Sequence, residues 1–251
     1  MGRNVVSCSF GKDSLAAAIV AHKTGMRDLS AVYCRVMFDS TLSVEMPEHD
    51  EFVREVAIPK LKADYGITTE VITPSATVIE KFYRRRERGK NVGKIYGWPS
   101  LKGCWVSSNI KLPAIRDWKK KNPGITEIVG IACDEAERAQ RKIVSEKRLI
   151  LCEQGITEMD ALEIVHDAGL LSPIYSYERQ RTGCWFCPQQ RMSQLRELRK
   201  RYPVLWDTML KMDVDSPYSF KPRYTVRELE SKFEKEDNLR RFWERLKYDE
   251  G

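Results

Sequence analysis

The chain has no run of eighteen or more apolar residues, which excludes an ordinary membrane-spanning helix. It has no internal repeat and no low-complexity tract, which excludes solenoids and arrays. Histidine is scarce: His22, His49 and His166 are the three in 251 residues, and they fit no pattern of paired bases. An excess of acid is missing too. Lys and Arg number 43 against 36 Asp and Glu, giving a formal net charge of +7 and a pI near 9.0 that favour an anionic partner. The N-terminus runs into a strand without a signal-like apolar segment, so a soluble, cytoplasmic protein with no membrane partner is expected. Seven cysteines in that setting argue for reduced thiols and metal or sulfur chemistry, not a disulfide framework.

Strand-like runs at Asn4 to Ser7, Ala31 to Phe38, Thr69 to Ile72 and Glu127 to Ile131 alternate with helical stretches at Lys12 to His22, Glu48 to Tyr65 and Pro113 to Lys121. This alternation predicts an α/β fold with a doubly wound, mostly parallel sheet and ligands at the C-terminal strand ends. Thr157 is the expected N-cap of a further helix carrying Met159, Leu162, Ile164 and Val165. Beyond about residue 190 the composition turns charged and helical, from Met192 to Arg201 and from Thr225 to Tyr248. The expected organisation is an α/β domain over 1–190 and a helical C-terminal extension over 191–251.

The first strand end carries the strongest signal, Val5-Val6-Ser7-Cys8-Ser9-Phe10-Gly11-Lys12-Asp13-Ser14. A short strand, a glycine that lets the backbone approach an anion, and a helix N-terminus with free N–H groups together predict a phosphate-binding turn. Lys12 adds a point charge, and Ser9 and Ser14 add hydroxyl donors. The spacing is too short for G-x-x-x-x-G-K-[ST], so the standard kinase or GTPase reading fails. The plainer alternative is a Gly-Lys turn opening an ordinary βα unit. The second strand end carries Asp39-Ser40-Thr41 and then Met46-Pro47-Glu48-His49, and another carries Gly130-Ile131-Ala132-Cys133-Asp134-Glu135 and, shortly after, Arg138.

The Ser9-to-Ser14 run resembles the S-x-G-x-D-S loop of PP-loop ATP pyrophosphatases, in the branch that contains the PAPS (phosphoadenylyl-sulfate) reductases. The Asp39 segment is similar to that family's second-strand signature, with Ser40 and Thr41 where Thr and Gly are usual. The Gly130 segment is similar to its later strand-end motif, with Ala132 where a base is common. The resemblance covers roughly the first 140 residues. It implies an adenine nucleotide alpha hydrolase-like fold that binds ATP or a related adenine nucleotide through Ser9, Phe10, Gly11, Lys12, Asp13, Ser14 and Gly130. It also implies that Lys12 and the turn amides stabilise a leaving pyrophosphate together with Mg²⁺, while Asp13 or Asp39 helps hold the metal.

Arg181-Thr182-Gly183-Cys184-Trp185-Phe186-Cys187-Pro188 contains a C-x-x-C knuckle, in which a tight turn can point two thiolates at one metal. The resemblance implies a third thiolate from Cys104, ahead of Lys111-Leu112-Pro113, and a [4Fe–4S] cluster on Cys104, Cys184 and Cys187. Trp105 stands where sulfonucleotide reductases have a second adjacent cysteine, so a fourth protein ligand is missing unless Cys133 swings in from its strand end. A structural zinc on Cys104, Cys133, Cys184 and Cys187 and a metal-free redox pair are the alternatives. Cys8, Cys34 and Cys152 lie in apolar runs and read as core thiols.

Lys81 to Lys94 is densely basic, with Arg84, Arg85, Arg86, Arg88 and Lys90 interleaved or flanked by Phe82, Tyr83, Tyr96 and Trp98. Such a segment suits a phosphate backbone with stacked bases; its plainer reading is a solvated helix end and loop. Arg196, Arg199, Lys200 and Arg201 read as an exposed helix face, and the six tryptophans mostly as core. The resemblance then implies adenylation of a substrate oxygen with pyrophosphate release, and replacement of AMP by sulfur delivered through the cluster. A tRNA, DNA or a small metabolite is the acceptor in this reading, and a sulfur donor protein is a partner. Sulfonucleotide reduction ranks second, because the family uses a cysteine in the C-terminal tail, while this sequence closes on Lys247-Tyr248-Asp249-Glu250-Gly251 and its last cysteine is Cys187. A nucleotide- or nucleic-acid-binding module with a structural metal is the third reading.

Overall fold

A computed structural model describes residues 2–101, 103–140, 146–176 and 181–249, so the terminal Glu250 and Gly251 named above lie outside the described residues. The chain divides into two compact units, Met1–Val78 with Ser107–Cys184, and Ile79–Val106 with Trp185–Gly251. The boundary read from composition near residue 190 falls close to Trp185; the linear reading did not group residues 79–106 with the C-terminal part.

In the first unit, β1 (Asn4–Ser7), β2 (Leu29–Cys34), β3 (Thr68–Ile72) and β4 (Thr126–Ile128) form a parallel sheet in the order β3-β2-β1-β4. Val6 pairs with Ala31 on one side and Ile128 on the other, and Ser30 pairs with Thr68. The chain steps outward from β1 to β3 and returns to the far side of β1, so the strand order reverses between β1 and β4. Crossover loops diverge there and leave a crevice at the C-terminal strand ends. This is the doubly wound α/β arrangement that the alternation predicted, and the C-terminal region is helical as expected.

Side chains alternate between the sheet faces. Val6, Ala31 and Tyr33 face a core shared with α1 (Lys12–Lys23), while Val5 and Val32 pack with Trp118 of α5 (Leu112–Lys121). Helix α1 is buried from Ser14 through Ala21, and its alanines allow close approach both to the sheet and to α8 (Glu158–Asp167). Helices α2 (Pro47–Phe52) and α3 (Ile58–Tyr65) join through a π-helical turn, Val53–Ala57, and a second π-helical turn, Ser107–Lys111, leads into α5. Each ends two residues before a proline, Pro59 or Pro113. Proline removes one N–H and crowds the carbonyl four residues back, and the wider turn accommodates both. Short helices α6 (Ala136–Ala139) and α7 (Ile150–Glu153) precede α8. Thr157 caps α8 as predicted, in a reciprocal box with Asp160.

The second unit takes in most of α4 (Val78–Tyr83), a hairpin-like loop, and α9 (Met192–Arg201), α10 (Pro203–Asp215) and α11 (Val226–Asp249). In the loop Arg85 bridges Ile95, with further backbone bonds from Arg86 to Lys94 and from Tyr96 to Arg84. Its core is aromatic: Phe82, Trp98 and Phe220 meet edge to face at 5.2 Å, as do Trp185 and Phe186 at 4.9 Å. Five tryptophans are buried as expected, whereas Trp243 is exposed. Arg196, Arg199 and Arg201 are not a bare solvated face. Arg196 forks onto Glu236, and Arg199 binds both Glu230 and Asp237, because α11 lays its acids against α9. None of the described helices is long and apolar enough to cross a membrane.

Candidate functional site

The chain leaves β1 through Cys8 and Ser9, turns at Phe10 and enters α1 at Lys12. Phe10 takes a left-handed φ of 58°, unusual for a bulky residue, and is held there by complete burial and an edge-on contact with Tyr33 at 5.3 Å. Ser14 closes the turn: its hydroxyl accepts from the Ser9 N–H at 3.2 Å and donates to the Gly11 carbonyl at 3.0 Å. His49 braces it from α2. The Ser9 carbonyl can only accept, so Nε2 carries the proton at 3.4 Å, and Nδ1 accepts from Ser172 at 2.9 Å. Burial holds the His49 pKa below its ordinary value.

Glu135 from the loop after β4, Glu158 at the start of α8 and Tyr175 from the segment after α8 converge on this turn. The Lys12 N–H donates to the Tyr175 hydroxyl at 3.0 Å, and the Lys12 ammonium donates to Asp13 at 2.6 Å and to Glu158 at 2.9 Å. Burial works against the ammonium, but its bonds to Asp13 and Glu158 outweigh that and raise its pKa. Burial pushes the Asp13 carboxyl up, against the Lys12 bond and with Glu135 and Glu158 adding to it. Asp134 accepts the Glu158 N–H at 3.1 Å and fixes the start of α8. Among the described residues, Asp13, Glu135 and Glu158 are the group of three metal-ligating side chains whose donor atoms lie within 4.8 Å of one another. These are hard oxygen donors, a set that fits Mg²⁺. The amides of Gly11 and Asp13 take no partner among the described residues and remain available to an anion.

Gly130 belongs to the same site through close approach. A Cβ there would overlap the Asp13 carbonyl and lie 2.6 Å from the Ser14 nitrogen. The loop after β4 is thus seated on the first turn of α1. Thr182 also reaches the turn, since a Cβ on Gly11 would lie 3.1 Å from its Oγ1.

The other expected residues stand elsewhere. The Asp39 carboxylate accepts from the N–H and hydroxyl of Thr41 and from the Leu42 N–H, a turn-forming role outside the acidic group. Cys133 and Cys184 lie in the first unit and Cys104 and Cys187 in the second, so neither unit by itself holds three of these four thiols. Cys184 forms an isolated bridge with Glu45. In the second unit the Lys221 ammonium binds the carbonyls of Pro188 and Gln190, at 2.6 and 2.8 Å, and so fixes the turn after Cys187. Cys8 and Cys34 are buried as expected, whereas Cys152 is half-exposed.

The fold is a doubly wound α/β arrangement with the turn between β1 and α1 at its switch point. The chain is 27% identical over 221 residues to an uncharacterized protein of Methanocaldococcus jannaschii, an alignment covering 81% of this chain and 40% of that protein. It therefore spans well under half the length of this relative. No family model matches the chain.

Proposed function

We propose that the first unit binds ATP with Mg²⁺ at the crevice between β1 and β4 and transfers the adenylyl group to an oxygen of an acceptor, releasing pyrophosphate. One coincidence carries this reading: the open Gly11 and Asp13 amides, the Lys12 ammonium and the Asp13–Glu135–Glu158 carboxylates meet at one strand end. The Lys12 ammonium pairs with Asp13 and Glu158. A polyphosphate competes for that ammonium and frees the two carboxylates for a cation. Mg²⁺, when bound, polarises the phosphate oxygens and offsets charge on the leaving group. The acceptor oxygen attacks the α-phosphorus, the bond from that phosphorus to the α–β bridging oxygen breaks, and pyrophosphate departs with the electron pair. The acceptor's proton passes to solvent. Lys12 and the two amides bind and stabilise the departing pyrophosphate.

A cluster on Cys104, Cys184 and Cys187, with sulfur delivery to the adenylated acceptor, remains the further step of this reading; iron and acid-labile sulfide measured on anaerobically purified protein test it. With water as the acceptor, ATP labelled at the α-phosphate should yield labelled AMP together with unlabelled pyrophosphate, and Lys12→Ala should slow this by about a hundredfold or more. Release of ADP and phosphate, or full turnover by a folded Lys12→Ala protein, would overturn the reading.

A further inference from the structure

The second unit contains a cavity of about 590 Å³ with no part in the chemistry above, lined among others by Arg86, Trp98, Trp105, Tyr218, Phe220 and Lys221. That volume lies in the range of small-molecule sites. Its apolar walls are fixed, since Trp98, Trp105 and Phe220 are buried and both indole N–H groups are already spent, on Asp213 at 2.9 Å and on the Gly97 carbonyl at 3.1 Å. Gly97 presses against the same wall: a Cβ on it would lie 2.7 Å from Ser216 Oγ and 2.9 Å from Pro217.

Two polar groups on the lining are not spent. The Arg86 Nε and the Tyr218 hydroxyl are both buried with no hydrogen-bond partner. Arg86 gives one terminal N–H to the Tyr96 carbonyl at 3.3 Å, and its guanidinium lies 4.3 Å over the Tyr96 ring. The cavity thus offers flat apolar walls, and the Arg86 Nε and Tyr218 hydroxyl lie covered beneath its edge, where a side-chain shift on binding would bring them to a ligand. A buried donor without an acceptor is costly, and a ligand that supplies the acceptor removes that cost.

Arg86 also lines a smaller cavity of about 210 Å³, together with Lys81, Arg84, Arg85, Arg88, Tyr96 and Glu87. Glu87 is engaged by Arg84 at 2.7 Å, while Arg88 is exposed and makes no ion pair among the described residues. One arginine therefore joins an aromatic cavity to a cationic one. We infer that the second unit binds single-stranded nucleic acid by taking one unpaired nucleobase into the larger cavity and its flanking phosphate into the smaller one. A base inside a duplex has its faces stacked and its edge paired, so only an unpaired base can enter.

The test is binding of a labelled, mixed-sequence oligonucleotide of about twelve nucleotides, as RNA and as DNA, measured by fluorescence anisotropy without ATP. Leaving ATP out keeps the result independent of the adenylation reading. Single strands of at least one of the two should bind about tenfold tighter than the matching duplex and than free mononucleotides. Arg86→Lys keeps the charge but loses the planar Nε and should weaken binding about tenfold, whereas charge alone would leave it unchanged. Tyr218→Phe, which removes one hydroxyl from an otherwise intact ring, should cost about threefold or more, and Lys120→Ala on α5 should have no effect. Equal affinity for duplex or mononucleotide, no binding of either strand type, or wild-type binding by both Arg86→Lys and Tyr218→Phe would overturn the assignment.

Discussion

Two basic stretches of the second unit have much the same composition and opposite fates. On α9, Arg196 and Arg199 lie against acids of α11, and Arg199 alone binds Glu230 and Asp237 with separate nitrogens. In the loop after α4, Arg85 is turned onto the Gly93 carbonyl, Arg84 meets only its neighbour Glu87, and Arg88 and Lys90 are exposed without an ion pair among the described residues. Cation density does not separate the two segments. What separates them is whether a distant element brings carboxylates to the same face. The first stretch joins helices, and the second keeps Arg88 and Lys90 exposed to solvent.

The sharpest way to break this contrast is to exchange the expected losses. Replacing Arg84, Arg85 and Arg86 together by alanine should lower oligonucleotide affinity by about a hundredfold at low salt and reduce the slope of log affinity against log salt by about two. Losing the Arg85 and Arg86 carbonyl bonds and the Arg86 stack on Tyr96 should cost no more than about 1 kcal/mol of stability in thermal unfolding. A loop variant that unfolds early would make the loop a structural seam like α9. Next in size, Arg199→Ala should destabilise the protein by about 2 kcal/mol, a value discounted for its partial exposure, and leave oligonucleotide binding intact. The smallest effect concerns a base that no carboxylate hydrogen-bonds among the described residues. His49 is buried and braces Ser9 in neutral form, and its folded pKa lies below the unfolded value of 6.5. The unfolded chain then takes up the proton more readily, so stability is full above the unfolded pKa and falls as pH drops from there toward the folded pKa. Unfolding temperature measured from neutral pH down through 6.5 should decline less steeply in His49→Gln than in the parent; equal slopes would remove His49 from that role.

The strand and helix alternation was legible because each element carries its own period, and the Thr157 cap because Asp160 lies three residues further on. The turn at Gly11 and Lys12 was legible for the same local reason. Glu135 stood inside the strand-end motif without a metal-ligating role assigned to it, and Glu158 and Tyr175 carried no such mark: they meet Lys12 from more than 120 residues away, and no local pattern singles out a side chain for such a meeting. A partial signal was present at Glu158, next to the predicted cap, because a side chain there starts its helix at the strand-end side of the sheet. The assignment of residues 79–106 to the second unit was illegible for a similar reason. Phe82 and Trp98 are apolar in any fold, and only the packing against Phe220 says which core they join.

The close fit of Gly130 on the Asp13 carbonyl has a consequence for motion. The loop after β4 and the first turn of α1 cannot fluctuate separately, because any tilt of one collides with the other. Native-state hydrogen exchange should therefore report a single opening event for the amides of Leu15 and Ile131, with a shared protection factor. Gly130→Ala would wedge that joint apart, and those amides should then exchange early while the rest of α1 stays protected.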